Sequence, residues 1–377
     1  MPLSMRILAL YTDAFGGFGG IATANQHFLP ALCTYPSVDE VVALPLLQPE
    51  PINYPLPDNF THRTDGLGGT PAYLLALTRL LIRERSFDVV WCGHINLVPL
   101  ALAAKAVTRS PVVLHIHGVD AWTPTHRRLV NWTVQFIDYF ISVAEVTKER
   151  FTAWSSVPPE RGHVVPNTID FSGLSPGPKR TDLLDRYGLD GPVIMTMGRL
   201  VGRERAKGFD QVLEVLPDLL NTHPSLTYLI AGKGPDRNRL LSKAKRLGIR
   251  DHVVFAGYVP ESEKADHFRL ADAYVMPSQG EGFGLVVLEA LACGVPVVGS
   301  TADGTAEALQ HGRFGAIVDP TDHGALRTAI QNVLQDPPPV DPEAVRAHFG
   351  PSAYQRRVHT VLDALFAGTR AQETSMS

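Results

Sequence analysis

Short apolar runs alternate with longer amphipathic segments from one end of the chain to the other. "RILALYT", "VVALPLL", "FDVVWCG" and "PVVLHIHG" read as strands. The helical patterns "IATANQHFLPALCTY", "PAYLLALTRLLIRER" and "LVPLALAAKAV" lie between them. The strand runs are rich in Val and Ile and show little polar alternation, as expected of strands buried on both faces of a parallel sheet. Repeating βα units imply a doubly wound α/β fold. After the small-residue, proline-rich "SGLSPGPKR", which has the composition of a linker, a second series begins. It runs "PVIMTMGRL", "FDQVLEVLPDLL", "LTYLIAGKG", "RNRLLSKAKRLG", "HVVFAGYV", and ends with "AYVMPS", "GLVVLEALACG" and "VPVVGS". Two Rossmann-like domains are therefore expected, residues 1–172 and 181–351, joined by a linker at 173–180. Residues 368–377 read as a frayed tail.

Length agrees with this division, because 377 residues exceed what one hydrophobic core usually serves. Hydrophobic residues at 45% and charged residues at 19% give the balance of a soluble globular protein. A formal net charge of -4 lends no support to a nucleic-acid partner. Cys33, Cys92 and Cys293 stand far apart without CxxC spacing, which argues against a disulfide framework and a zinc site and suits a reducing compartment. The apolar stretch at 7–11 is too short for a signal-peptide core. No uncharged apolar run approaches the ~18 residues of a membrane-spanning helix. Contact with a membrane surface is the most that is expected. Basic residues in "THRRLVNW" and "RLLIRER" would make it, at about 1 kcal/mol per charge. An ordinary solvated helix face is the simpler account of them.

Three stretches carry candidate chemistry. "YTDAFGGFGGIATANQHF" crowds four glycines into a turn before a helix. A dinucleotide fingerprint would need an acidic residue at the end of the second strand. Asp39 and Glu40 lie at the wrong end of "VVALPLL", and Pro45 and Leu46 occupy the right one. What remains is a glycine-rich surface turn, or a loop whose bare amides can approach a charged or polyhydroxylated ligand at a helix N-terminus. "GRLVGRERAKGFDQVL" sets Arg199, Arg203, Arg205 and Lys207 between a strand end and a helix start. Cations there oppose the helix macrodipole by roughly 0.3–1 kcal/mol each, so the cluster makes sense around a diphosphate, or else as a solvated basic loop. Arg199 directly follows the strand and Lys207 opens the helix, which favours these two.

"SQGEGFGLVVLEALACGVPVV" carries Glu281 in a turn and Glu289 inside an apolar helix. A carboxylate among Val286, Val287, Leu288, Leu291 and Ala292 is costly without hydrogen-bonding partners, which sugar or ribose hydroxyls would supply. Glu281 precedes the helix, where a carboxylate is welcome in any case. Eight residues of helix span ~12 Å. Glycosidase carboxylates stand about 5 Å apart in retaining enzymes and roughly 6.5–9.5 Å in inverting ones, so hydrolysis by this pair is disfavoured. The chain has no Asp-x-Asp triplet, so a catalytic metal is not indicated.

At these residues the sequence resembles the retaining glycosyltransferases of family 4, which have the GT-B fold: two Rossmann-like domains with parallel sheets facing across a cleft. "EGFGLVVLEALACGVPVV" is similar to the family's Glu-seven-residues-Glu signature. "GRL", "RERAKGFDQVL", "LIAGKGP", "VVFAGYVPESE" and "ADAYVMPSQGEGFG" agree with it. In the first half "GGFGGIA", "LHIHGVD", "ISVAEVTKERF" and "VVPNTIDF" fall in the family's order. The resemblance implies that Arg199 and Lys207 hold a donor diphosphate, that Glu289 takes ribose hydroxyls, and that Glu281 takes hydroxyls of the transferred sugar. Amides around Phe283, Gly284 and Leu285 would meet sugar and phosphate, Tyr258 and Val259 would border the base, and Gly198 and Gly232 complete the donor set. Gly19 and Gly20 would face the diphosphate. His117 would contact the transferred sugar, in preference to His115. His117, Arg199, Lys207 and Glu281 form the implied catalytic group.

By the same resemblance, residues 352–367 form a helix that crosses back to the first domain. The implied activity is hexosyl transfer with retention, without a metal or other cofactor, from a GDP- or UDP-linked sugar to a saccharide or lipid-linked acceptor. Cell-surface polysaccharide or glycolipid synthesis is the implied setting, with the protein cytoplasmic or peripheral on the inner face of the plasma membrane. A sugar-nucleotide epimerase of the same fold and a non-catalytic sugar-nucleotide-binding subunit are the alternatives. Two departures stand out. "TADGTAEAL" occupies the place of a Gly-Gly-x-Pro-Glu turn, and "PNT", with Thr168, that of Pro-Asn-Gly.

Overall fold

The computed structural model describes residues 4–17, 19–52 and 55–375, and for 203–205 and 367–375 the backbone only. The chain forms two compact units, Met1–Thr168 with Pro351–Ser377, and Ile169–Gly350.

The first unit is built on seven parallel strands: β1 (Met5–Tyr11), β2 (Val38–Pro45), β3 (Phe60–His62), β4 (Val89–Cys92), β5 (Val112–Ile116), β6 (Tyr139–Ser142) and β7 (Gly162–Val164). Their order is β3-β2-β1-β4-β5-β6-β7. Successive side chains of β1 serve opposite cores. Leu8 and Leu10 join one cluster, while Ile7, Ala9 and Tyr11 join the other, so the strand needs apolar residues at every position from 7 to 11. The first cluster is covered by α2 (Thr70–Arg83), α3 (Val98–Thr108) and α4 (Arg128–Thr133), the second by α1 (Gly20–Cys33). A fifth helix, α5 (Glu145–Ser155), follows β6. β3 is too short to show in the hydrophobic pattern. β2 starts three residues earlier than its apolar run, because Glu40 pairs with Arg6 of β1 at 2.7 Å.

The second unit has six parallel strands: β8 (Val193–Met197), β9 (Thr227–Ala231), β10 (Val253–Gly257), β11 (Ala273–Val275), β12 (Val297–Ser300) and β13 (Ala316–Val318). They lie in the order β10-β9-β8-β11-β12-β13. Its helices are α6 (Thr181–Tyr187), α7 (Phe209–Leu220), α8 (Arg237–Arg246), α9 (Lys264–Arg269), α10 (Leu285–Ala292), α11 (Thr305–Ala308), α12 (His323–Gln335) and α13 (Pro342–Phe349). In each sheet the strand order reverses once, between β1 and β4 and between β8 and β11. Loops after those strands are where an open α/β sheet binds ligands.

Residues 173–180 are anchored rather than free. Arg269 donates to the Ser175 carbonyl at 2.8 Å, Lys179 pairs with Asp272 at 2.7 Å and Arg180 with Asp266 at 3.0 Å. Small residues and prolines here let a strap lie flat against the second unit, which its composition alone does not reveal. The closing helix α14 (Pro351–Ser375) returns to the first unit. It buries Tyr354, Val358, Val361, Leu362 and Leu365 in the α1-side cluster, a stripe of helical period. It continues through residues 368–375, the segment read as tail, while 376 and 377 lie outside the described residues.

Truncating this stripe tests its weight. Leu362→Ala should lower the unfolding free energy by about 2–5 kcal/mol in urea denaturation followed by circular dichroism. Exposed Thr360→Ala on the same helix should change it by no more than about 0.5 kcal/mol.

Candidate active site

The loop after β8 carries Gly198 and exposed Arg199, then a 3₁₀ helix (Gly202–Lys207) and Gly208. Gly208 has φ +87°, and a Cβ there would lie 2.7 Å from Cδ of Pro277. Only glycine allows this turn to approach the loop after β11 so closely. The two loops are stitched there by the Gln279 amide, which donates to the Ala206 carbonyl at 2.6 Å. Lys207 consequently reaches Glu281, and its ammonium donates to that carboxylate. Both side chains are largely shielded, at 18% and 16% exposure. The Lys207 stem lies over Gly198, 3.0 Å from where a Cβ would stand. Gly232 has φ +139°, and a Cβ on it would overlap the Gly198 carbonyl oxygen. Thus the sequence-predicted Gly198, Lys207, Gly232 and Glu281 meet at one end of the sheet. The side chains of Arg203 and Arg205 lie outside the described residues.

Glu281 is held by a residue that sequence reasoning passed over. Asp303, 2% exposed, accepts hydrogen bonds from Ser278 Oγ at 2.7 Å, the Glu281 amide at 2.8 Å and the Thr305 amide at 3.0 Å. Burial raises its carboxyl above the usual range, and these donors work against that rise. The Gly304 amide in turn donates to the Glu281 carbonyl at 3.0 Å. The departure at "TADGTAEAL" is therefore the brace of the glutamate loop. Its signal was an acid standing where the family has glycine.

Beyond the turn, Gly284 (φ +92°) caps α10. The Phe283 ring is buried against Phe349, centroids 5.7 Å apart, so this residue can offer a ligand only backbone. Leu285 is half-buried. Glu289 finds a partner that the sequence did not suggest: Lys264 of α9 donates to its Oε1 at 2.9 Å. The other oxygen, Oε2, is buried and unpartnered. Burial raises this carboxyl, with Lys264 opposing the rise. The two glutamates thus face different lysines. Tyr258 is 63% exposed, with Lys233 over its ring at 4.6 Å, and Val259 beside it is half-buried.

In the first unit, Gly19 (φ +93°) caps α1, with neither a side-chain cap nor an acidic residue in the first turn. A Cβ on Gly19 or Gly20 would meet nothing within 4 Å among the described residues, so no crowding demands glycine at either position. Phe18 lies outside the described residues. His117, at the end of β5, is buried, and its Nε2 stands 3.1 Å from the Gly93 carbonyl. A carbonyl only accepts, so Nε2 carries the proton and unpartnered Nδ1 is an acceptor. Burial, with His94 nearby, pushes the imidazole down to about 4, so it is neutral near pH 7. His115 instead packs against Phe28 and Trp91 in the core, at ring distances of 4.8 and 5.6 Å.

A cavity of about 320 Å³ adjoins this strand end, walled by His94, Asn96, Val119, Asp120 and residues 123–127. The Asp120 carboxyl accepts from the His117 amide at 3.2 Å, and burial pushes it up to about 7. It was visible in "LHIHGVD" but has no spacing signature. Among the described residues, no group of three or more His, Cys, Asp or Glu is placed to hold a metal ion.

Residues 186–356 match the family model for glycosyl transferases group 1, and residues 36–172 the model for Glycosyltransferase Family 4. A GDP-mannose-dependent alpha-(1-6)-phosphatidylinositol monomannoside mannosyltransferase of Mycolicibacterium smegmatis is 34% identical over 272 residues, covering 68% of this chain and 70% of that protein. A glycogen synthase of Mycobacterium tuberculosis is 30% identical over 300 residues, 74% of this chain and 70% of its own. Among solved structures, Anabaena HepE in complex with UDP has a TM-score of 0.73 at 19% identity, covering 96% of this chain and 100% of that one. The apo lipopolysaccharide outer core galactosyltransferase WaaB has a TM-score of 0.71 at 17% identity, with 97% and 100% covered. At such identities these two speak for the fold. The chain belongs to the glycosyltransferases of the GT-B type. It is a hexosyltransferase.

Two outcomes test the braces. Asp303→Ala leaves the Glu281 and Thr305 amides without their acceptor and the Ser278 hydroxyl with only that of Thr305, at about 1–3 kcal/mol for each unsatisfied group, and Asp303→Asn, which keeps an acceptor, should lose less in urea titrations. The Asp120 carboxyl is raised, so the native state holds more protons than the unfolded state between the ordinary aspartate value and about 7. That contribution to stability is present at low pH and is lost as pH rises through this window. Asp120→Asn should therefore be about as stable as wild type at acid pH and gain on it above pH 7. The reverse ordering in parallel denaturations would contradict the assignment.

Proposed function

We propose that this chain transfers a hexosyl unit, with retention at the anomeric carbon, from a GDP- or UDP-linked sugar to a saccharide or lipid-linked acceptor. The observation that carries the reading is the Lys207–Glu281 pair, fixed by Gly208 and Asp303 at the switch point of the second sheet. The mycobacterial relatives, named for GDP-mannose and a phosphatidylinositol mannoside, support a nucleotide-sugar donor and a lipid-linked acceptor, hence work in glycolipid or cell-surface polysaccharide synthesis. Such an acceptor would bring the protein to the inner face of the plasma membrane.

In this reading Arg199, Lys207 and the amides leading into α10 meet the diphosphate. Charge grows on that group as the glycosidic bond breaks, and preorganised donors stabilise it. Lys207 has three N–H donors, so its bond to Glu281 leaves two for phosphate oxygens. Charge neutralisation by these groups makes the transfer metal-independent. Glu289 Oε2, buried and unpartnered, suits a ribose hydroxyl, and exposed Tyr258 with Val259 suits the base. Glu281 takes a hydroxyl of the transferred sugar. In the first unit His117 Nδ1, an acceptor without a donor, suits a sugar hydroxyl. The amides of Gly19 and Gly20, at the start of α1 and without a side-chain cap, suit a charged group. Retention follows same-face attack, the acceptor proton passing to a donor phosphate oxygen.

A second reading, epimerisation of a sugar nucleotide, draws on Asp120, whose carboxyl near 7 could exchange a proton at neutral pH. Incubation with GDP- and UDP-sugars separates the readings. Mass spectrometry shows a glycosylated acceptor under the first and an isomerised donor under the second, and NMR of the product reads the anomeric configuration. A binding subunit without catalysis would give neither product.

The site residues divide in one set of measurements. Glu289→Gln should weaken free nucleoside diphosphate in calorimetry by about 1.5–3 kcal/mol. Glu281→Gln should leave that binding equal or tighter, because Lys207 is released, and lower kcat instead. Lys207→Ala should slow transfer by ~10²-fold or more. Normal binding and turnover in all three variants would make the motif structural.

A further inference from the structure

Lys264 stands where local preference would not put a lysine. It is the first residue of α9, and a cation there opposes the helix dipole. Its ammonium donates to Oε1 of Glu289 at 2.9 Å and lies 2.7 Å from Oε2 of Glu261, in the 3₁₀ turn Glu261–Glu263 before the helix. The two partners are unlike. The Glu261 side chain is 82% exposed and is served by water, whereas the Glu289 side chain is 13% exposed. Among the described residues Lys264 alone bonds the Glu289 carboxylate. The helix that carries the lysine is itself tied down. Asp266 pairs with Arg180 at 3.0 Å, and Arg269 donates to the Ser175 carbonyl at 2.8 Å. His267, buried, has its Nε2 3.0 Å from the Tyr187 hydroxyl of α6. Lys264 thus reaches Glu289 from a fixed base.

We infer that Lys264 is a positioning residue for the nucleotide: by taking Oε1 of Glu289 it sets the plane of that carboxylate and presents Oε2 to the ribose hydroxyls. The last torsion of a glutamate is broad and roughly two-fold, so the side chain alone does not choose which oxygen meets a ligand, or at what angle. An ammonium held on one oxygen does choose. Oε2 has no donor of its own, so it is the acceptor left over, and Lys264 sets its direction. The same contact bears on charge. Burial raises the Glu289 carboxyl, Lys264 opposes the rise and Glu261 adds to it. An ionised oxygen accepts a hydroxyl proton roughly twice as strongly as a neutral one. Tyr274 and Cys293, the other titratable groups that face Glu289, are held neutral by burial. The phenol lies well above its usual value and the thiol is pushed up to about 11. Neither changes charge in the neutral range, so the balance at this carboxyl lies with Lys264. The inference rests on the reading of Glu289 as the ribose acceptor.

Calorimetry of the full chain with GDP and UDP, each against its 2′,3′-dideoxy counterpart, reads the ribose contact as a ratio of affinities. The nucleotide that binds should do so at least about tenfold tighter than its dideoxy form, the scale of a charge-assisted hydrogen bond. Glu289→Gln should cut that ratio to about threefold or less. Lys264→Met, uncharged and of similar length, should cut it as far and leave the dideoxy form bound as in wild type, because the loss falls on the ribose alone. Lys264→Arg, which keeps the cation, should hold the ratio above that of Lys264→Met. In the Glu289→Gln background Lys264→Met should change the ratio no further, since it acts through that carboxylate. Without the lysine the carboxyl rises further, so the Lys264→Met ratio should fall as pH falls and recover as pH rises, while the wild-type ratio stays level through the neutral range. Lys245→Met, the same change on an exposed residue of α8, should leave the ratio alone. Matching melting temperatures establish that the variants fold. Should Lys264→Met not fold, Lys264→Gln, neutral and shorter, takes its place with the same expectation. A wild-type protein that does not tell the two forms apart would overturn the ribose reading, and this inference with it. A ratio that Glu289→Gln removes and Lys264→Met keeps at every pH overturns the inference alone. So does a Lys264→Met variant that weakens both forms equally, which would make the lysine merely structural.

Discussion

One buried carboxyl group organises the second unit's site. Taking Asp303 out of water is unfavourable, and three donors offset the cost: the Ser278 hydroxyl and the amides of Glu281 and Thr305. Two of the donors, Ser278 and Glu281, lie in the loop after β11, and the third, Thr305, follows β12. The same bonds that satisfy the carboxyl therefore fix the loop after β11 against the loop after β12. With the Gly304 amide on its carbonyl, Glu281 is tied at both sides of its peptide unit, and its side chain has little choice but Lys207. Geometry at the candidate reacting end thus descends from a residue that touches none of the charged groups.

Glycines in the two units do opposite things. Gly208 and Gly232 sit where another backbone or ring comes so close that a side chain could not fit, so they weld adjacent strand ends together. Gly19 and Gly20 meet no such crowding among the described residues. The first kind shapes a site and the second leaves a helix start without a side-chain cap. In sequence both kinds look alike, as small residues next to a helix start.

Much of the architecture was legible because parallel strands covered on both faces must be apolar throughout, and β1 shows why: Leu8 and Leu10 point to one core, Ile7 and Ala9 to the other. Where a segment's role depends on distant side chains, the pattern is silent. The linker-like 173–180 is pinned by Arg269 and Asp272, neither of which its composition can announce. Lys207 and Glu281 were legible as separate motifs, but their pairing spans 74 positions and appears only in the fold. Lys264, 25 positions before Glu289, was missed for the same reason. His117 and His115 differ by one strand period and point to the same face. Only the Gly93 carbonyl at one ring and the Phe28–Trp91 packing at the other tell them apart.

The pairing of each candidate glutamate with a lysine also settles an electrostatic difficulty. A carboxylate as buried as Glu289 is driven toward its neutral form, and Lys264 opposes that drive. Each pair sets opposite charges together where both side chains are largely shielded, so the local sum stays near zero. Such a pair is weak evidence for stability, because desolvation cancels much of the attraction. Its value lies in orientation. An arriving polyanion finds an ammonium already aimed and partly dehydrated, and can share it with the carboxylate without reorganising a hydration shell. For chemistry in which negative charge grows on a leaving group, charges fixed in advance are what lower the barrier.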